Sequence, residues 1–365
     1  MHRCVPPALL LLAFGILARP VSADPLQQPP AVVPQYPVAL RPLTGPGATR
    51  PEWERRREEL RRAWMDWLGP LPDSKPPLEA RFEEKEVLSG FSRQRVTYQV
   101  EPGLRIDAMV LLPEPVRDRM PLILLFHPTY DGHYRRAVGL EGAGEPERQQ
   151  ALQWVEAGYA VVAPRCFLWE ELPGGFQALP GENGWAAHAR HMRERHPGWK
   201  AVTRMLWDGI RALDLAESIP GVDPGRIALF GHSLGAKEVL YVGAFDPRPR
   251  CVVFSEGGIG MWQSNWNAPW YLGPEIRDPG FPREHHELLA LMAPRPFLLL
   301  AGGEGAADTD ASWLFIEAAR PVYGLFGMPE GVGWLAHGLG HRYGAGARVA
   351  AEAFVARWLG AVPGR

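Results

Sequence analysis

Cysteine is scarce in this chain: three in 365 residues, at positions 4, 166 and 251. So few exclude a disulfide scaffold. Cys166 and Cys251 can pair in an oxidising compartment, but two buried free thiols are the expectation. An excess of charge of one sign is also missing. A formal net charge of −2 gives no electrostatic reason to expect nucleic acid or an anionic membrane as partner. No apolar run reaches the roughly 20 residues that a bilayer span requires. Glycine and proline together make about a fifth of the chain, below the level of low-complexity sequence, and no internal repeat is visible. A metal site is not expected either. His285-His286-Glu287 resembles the start of a zinc-peptidase helix, but Ala290 stands where the second histidine belongs. His188 and His191 have i, i+3 spacing without a convincing third ligand, and no cofactor is implied.

What is present begins with a leader. His2 and Arg3 precede an apolar run from about Val5 to Leu17, and Val21-Ser22-Ala23 suits signal-peptidase cleavage before Asp24. Residues 1–23 are therefore expected to be a signal peptide and the protein secreted or periplasmic, with no stable membrane span after cleavage. Residues 24–50 form a proline-rich arm without hydrophobic periodicity. The rest, 51–361, is expected to be one domain. Pro51 opens an amphipathic helix through about Leu68, with Trp53, Leu60, Trp64, Trp67 and Leu68 at helical spacing before Gly69-Pro70 stops it.

Two stretches of near-alternating polarity, Arg93–Val100 and Arg105–Leu112, suit antiparallel edge strands. Short continuous apolar runs then follow at Leu122–Phe126, Ala160–Ala163, Ile227–Phe230, Val252–Phe254, Phe297–Ala301 and, less purely, Val332–Ala336. Such runs suit strands covered on both faces. Helical segments at Arg148–Ala157, Trp199–Ser218, Leu234–Ala244, Ser312–Arg320 and Ala345–Leu359 accompany them. The alternation predicts an α/β doubly wound, mostly parallel sheet, with an N-terminal helical extension. Loop insertions are expected near Arg165–Pro197 and Gly257–Arg283.

The sharpest motif is Gly231-His232-Ser233-Leu234-Gly235, directly after one predicted strand and directly before a helix. A strand-to-helix turn of this kind holds its serine in a strained conformation at the carboxyl edge of a sheet, and the helix lends its positive end to a developing oxyanion. It predicts the α/β-hydrolase fold with Ser233 as nucleophile. Serine needs a histidine base and a carboxylate to orient that base, in the chain order Ser, acid, His. His341, on a glycine loop past the last strand, is favoured over His337, which ends the strand itself. For the acid, Asp308 is favoured by its place after Phe297–Ala301, with Glu256 after the preceding strand, Asp310 and Glu304 as alternatives. The Leu234 amide and the Thr129 or Tyr130 amide are the candidate oxyanion donors, since Pro128 has no N–H.

Several stretches resemble glucuronoyl esterases and neighbouring acetyl xylan esterase or dienelactone hydrolase-like enzymes. They are Gly231–Lys237, Ala293-Pro294-Arg295-Pro296, Arg320–Gly327 and Gly340-His341. The resemblance runs from about Pro121 to the C-terminus and implies a hydrolase acting through an acyl-enzyme on a small-molecule or carbohydrate ester. It implies Ser233 and His341 as catalytic residues and Lys237 as a residue holding a uronate. The acid falls on Glu256 by the glucuronoyl esterase pattern and near Asp308 by the other. Leu234 departs from glucuronoyl esterases, which usually carry an oxyanion-stabilising arginine there. Trp262, Trp266 and Trp270, in the second insertion, are candidate sugar-stacking residues or a self-packing lid. A serine peptidase of the same fold, or a binding protein that has lost catalysis, are the competing expectations.

Overall fold

The computed structural model describes residues 24–169, 178–360 and 362. The expected signal peptide lies outside the described residues, as do positions 170–177 of the first insertion. One mixed sheet organises the rest. Its strands are β1 (Arg81–Phe82), β2 (Glu86–Val87), β3 (Phe91–Glu101), β4 (Leu104–Pro113), β5 (Met120–Phe126), β6 (Ala160–Pro164), β7 (Val222–His232), β8 (Cys251–Ser255), β9 (Phe297–Ala301) and β10 (Val332–Ala336). The spatial order is β1-β3-β4-β6-β5-β7-β8-β9-β10, with β2 also on β3. The first strands pair antiparallel, and every pair from β6 through β10 is parallel. The expected doubly wound, mostly parallel architecture is what forms.

Nine α-helices are described: α1 (Arg50–Leu68), α2 (Asp131–Ala137), α3 (Gln150–Glu156), α4 (Gly184–Arg195), α5 (Ala201–Ser218), α6 (Leu234–Phe245), α7 (His286–Met292), α8 (Trp313–Gly324) and α9 (Ala345–Leu359). Every residue of β5, β6, β8 and β9 is buried, as continuous apolar strands require when helices cover both faces. Two apolar layers result. One holds α1, α5, α6, α7 and α8 against the sheet, and the other α2, α3 and α9. Cys166 and Cys251 are both buried free thiols.

The N-terminal helix is locally encoded. Glu52 accepts from the Thr49 amide at 2.7 Å, closing a capping box, and Gly69 ends the helix at φ 96°. Its stripe of Trp53, Leu60, Trp64 and Leu68 is buried, and Trp64 Nε1 donates to Glu287 on α7 at 2.7 Å. The arm before it is pinned as well: the Tyr36 hydroxyl donates to Glu284 at 2.7 Å and accepts from the Trp262 amide at 3.0 Å.

Candidate active site

The sheet register builds the site. Phe126 pairs with Gly231, His232 with Ser255, Ser255 with Leu300, and Ala301 with Ala336. The loops that leave these residues therefore emerge side by side at the carboxyl edge, where open α/β sheets bind ligands. They carry Pro128–Tyr130, Ser233, Glu256, Asp308 and His341.

At the elbow, close approach explains both glycines. A Cβ on Gly231 would meet the Gly235 carbonyl oxygen at 2.1 Å, and one on Gly235 would meet the Phe126 carbonyl oxygen at 2.0 Å. Ser233 sits at φ 60°, ψ −114°, with its amide donating to Ser255 O at 2.8 Å. Among the described residues, three of the five non-glycine residues with positive φ, Tyr130, Ser233 and Glu256, belong to this edge. Backbone strain of order 1–3 kcal/mol each collects where function constrains geometry.

His341 Nε2 lies 2.9 Å from Ser233 Oγ, a distance at which the hydroxyl donates to the ring. The loop that delivers it is fixed by Gly340, whose amide donates to Gly302 O at 2.9 Å. Burial, with the nearby basic groups Lys237 and His133, holds the His341 imidazole below its ordinary pKa, which favours the neutral ring that can accept a proton. His337 lies against the same carboxyl as His341, with Nδ1 accepting from the Leu339 amide at 3.3 Å. Its proton therefore sits on Nε2, 2.8 Å from Glu256 Oε1.

The carboxylate beside the base is that of Glu256, with Oε2 3.9 Å from His341 Nδ1. Neither ring N–H is aligned on it for a hydrogen bond. Burial, reinforced by the neighbouring Asp308, pushes its carboxyl up to about 10. Asp308, which chain position favours as the acid, is turned to a different task. Its Oδ2 accepts from the Gly258 amide at 2.7 Å, and its Oδ1 accepts from the Ile259 amide at 2.7 Å and the Ser312 hydroxyl at 2.9 Å. With both oxygens occupied, Asp308 fixes the turn just after Glu256. Asp310 opens a short 3₁₀ turn, and Glu304 is exposed.

Leu234 heads α6, so its amide has no carbonyl of its own helix to bond. Thr129 and Tyr130 line the same cleft as Ser233. His127, which sequence reasoning passed over, holds their loop. It is fully buried, accepts from the Cys166 amide at Nε2 (3.1 Å), and its Nδ1 donates to Pro128 O at 2.6 Å. The only hint in the sequence is that His127 ends an apolar strand and precedes Pro128.

The cleft measures about 550 Å³ and is walled by Tyr130, Trp185, Tyr271 and Tyr343. None of the three tryptophans expected to line it does so. Trp266 is fully buried, donating to Gly258 O at 2.6 Å. Trp262 lies under Arg277, and Trp270 packs edge-on against Trp185, ring centroids 5.3 Å apart. Trp185 comes from the first insertion, where no periodicity marked it. Lys237 is buried behind this wall. Its ammonium donates to Gly257 O at 2.7 Å and to Ser264 Oγ at 2.9 Å, and lies 4.0 Å from the Trp266 ring centre. Burial brings it down to about 7.

The histidine pair weighed as a metal motif has structural partners. His285 bridges the Tyr241 hydroxyl and Ile259 O, and His286 donates to Arg41 O. Among the described residues no group of three or more His, Cys, Asp or Glu is arranged to hold a metal, and no helix is long and apolar enough to cross a membrane.

A serine on a nucleophile elbow, facing a histidine from the loop after the last strand of such a sheet, defines a serine hydrolase of the α/β-hydrolase fold. Residues 67–256, more than half of the chain, match the family model of acetyl xylan esterase (AXE1). The chain belongs to that family of carbohydrate esterases. It is 24% identical to 4-O-methyl-glucuronoyl methylesterase 1 of Wolfiporia cocos across 88% of this chain and 82% of that one. It is 24% identical to a carbohydrate esterase from an unknown prokaryotic organism, across 76% and 74%. Among solved structures, the glucuronoyl esterase of Solibacter usitatus superposes with a TM-score of 0.65 at 22% identity, covering 89% of this chain and 99% of that one. The glucuronoyl esterase catalytic domain of Hypocrea jecorina gives 0.60 at 18% identity, covering 85% and 84%. At these identities the superpositions speak for the fold.

Proposed function

We propose that the protein is a secreted serine esterase that cleaves carboxylic esters attached to carbohydrate, of the acetyl xylan or glucuronoyl type, through an acyl-enzyme. The observation that carries this reading is the 2.9 Å approach of His341 Nε2 to Ser233 Oγ at the floor of the cleft. Ser233 Oγ attacks the ester carbonyl while His341 takes its proton. The oxyanion forms against the Leu234 amide and a second amide from Thr129 or Tyr130, one such donor being worth roughly 2.7–4 kcal/mol. His341 then returns the proton to the leaving alcohol, and water repeats the sequence on the acyl-enzyme. Glu256 is the carboxyl that orients His341; burial keeps it protonated in the free enzyme, and it balances the imidazolium only once that proton has left. Its contacts are loose in the free enzyme, as catalytic hydrogen bonds often are before substrate binds. The leader at residues 1–23 supports export.

The test is a screen of the purified protein against aryl esters, acetylated xylan and glucuronate esters, with Ser233→Ala and His341→Ala in parallel. Both variants are expected to lose about 10⁴-fold or more in kcat. A Ser233→Ala enzyme that keeps more than a tenth of the activity refutes the assignment.

A further inference from the structure

The chain as a whole is nearly neutral, at −2, but its cleft is not. The charged residues lining it are Arg148 and Arg342 against Glu147, with three histidines, His133, His232 and His341, beside them. All three histidines are held below their ordinary pKa. Burial is the first cause in each, and neighbouring basic groups add to it: Arg148 for His133, His341 for His232, and Lys237 for His341. With the rings held towards their neutral form, the guanidinium groups of Arg148 and Arg342 outnumber the Glu147 carboxylate as fixed charges. Arg148 is partly engaged, by Glu145 at 2.7 Å and His133 Nε2 at 3.2 Å. Arg342 immediately follows His341, is exposed, and has no carboxylate within ion-pair distance among the described residues. In the same cleft, Tyr130 is 56% exposed and packs at a tilt of 58° against Trp185, ring centroids 5.3 Å apart. The two inclined rings offer apolar surface, and Arg342 offers an unspent cation.

We propose that Arg342 is a specificity-determining residue that receives a free carboxylate carried by the saccharide, so that the enzyme prefers esters of acidic saccharides to esters of neutral ones. The inference rests on the reading of Ser233 and His341 as the centre that cleaves carbohydrate esters. The ester being cleaved carries no charge, so it gives Arg342 nothing to bind. A carboxylate elsewhere on the same saccharide does. A guanidinium matches it with two parallel N–H donors, which a lysine cannot reproduce. The sugar face lies on the Tyr130–Trp185 wall, the ester at Ser233 and the acid at Arg342.

Two acetylated disaccharides that differ only in whether one sugar is a uronic acid test this. Wild-type kcat/KM should favour the acidic substrate by about tenfold, a factor that 1.4 kcal/mol supplies. In Arg342→Gln the ratio should fall to near one, through KM, and in Arg342→Glu it should invert. Arg342→Lys should lie between. A ratio near one in the wild type, or equal loss on both substrates in Arg342→Gln, overturns the proposal. Calorimetry separates it from the catalytic reading. The de-acetylated acidic disaccharide should bind Ser233→Ala and fail to bind the Ser233→Ala, Arg342→Gln double variant. No difference between the two overturns the carboxylate site, whereas turnover by Ser233→Ala refutes the catalytic reading instead.

Discussion

Glu256→Gln is the substitution that most sharply separates what this site does from what it costs. The carboxyl is fully buried, and burial together with Asp308 lifts it from 4.5 to about 10. In the unfolded chain the group ionises near its ordinary value. Between those two values the folded state holds a proton that the unfolded state has released, so stability falls as pH rises across that window. One unit is worth about 1.4 kcal/mol, so by pH 7 the cost is on the order of 3 kcal/mol at most, since Asp308 shares the effect. Glutamine has the same shape and no proton to lose. Glu256→Gln should therefore melt higher than wild type at pH 8, with the difference shrinking towards pH 5. The same change should lower kcat by about 10²–10⁴, because an amide, unlike the carboxyl, can never ionise to stabilise the imidazolium and can fix the wrong tautomer of His341. Thermal melts from pH 5 to 8 and kcat on an aryl ester check both halves. Asp308→Asn is the control. It loosens the turn held by the Gly258 and Ile259 amides, so it should lower the melting temperature and affect kcat less than Glu256→Gln. A Glu256→Gln enzyme within tenfold of wild-type kcat, or one whose melting temperature tracks wild type at every pH, refutes the reasoning.

Two further substitutions test the surroundings of the base and of the oxyanion. Lys237→Met removes a cation that holds the His341 pKa down, so the acid limb of the kcat/KM profile should move to higher pH. A limb that stays in place or moves lower contradicts that coupling. His127→Phe deletes the contacts to Pro128 O and the Cys166 amide. It should lower kcat about 10²-fold with little change in KM, and cost about 1–3 kcal/mol for the amide left unsatisfied. A loss confined to stability, with kcat intact, would leave His127 without a part in positioning the oxyanion loop.

Most of the scaffold was legible because it is written locally. The capping box at Thr49 and Glu52, the apolar runs of β5 to β9 and the glycine-flanked serine each declare themselves within a few residues. Pattern reading left α2, α4 and α7 out of its helical segments: α2 and α7 are seven residues long, too short for a period to show, and α4 is charged and lies inside an expected insertion. Ser233 was readable for the same local reason: the glycines are required by contacts of 2.0–2.1 Å at the turn itself. His341 followed from chain order and from the two glycines around it, which let the loop fold back over β9.

The acid could not be read this way, and the reason is physical. Asp308 and Glu256 both follow strands that end at the same edge, and chain order allows either. The difference lies in which partners take their oxygens. A loop that buries the amides of Gly258 and Ile259 needs an acceptor, and Asp308 supplies it with both oxygens. Glu256, held at φ 58° by that turn, is left with its oxygens towards His337 and His341 and without an aligned donor. Two buried carboxylates thus divide the work, one shaping the turn and the other facing the bases. The same division explains the aromatic residues. Trp266 is consumed by Gly258 O and by the Lys237 ammonium, deep behind the wall, while Tyr130 and Trp185 line the cleft itself. Partners spoken for by the fold are unavailable to a substrate. Those left without partners, Arg342 above all, are where specificity has room to reside.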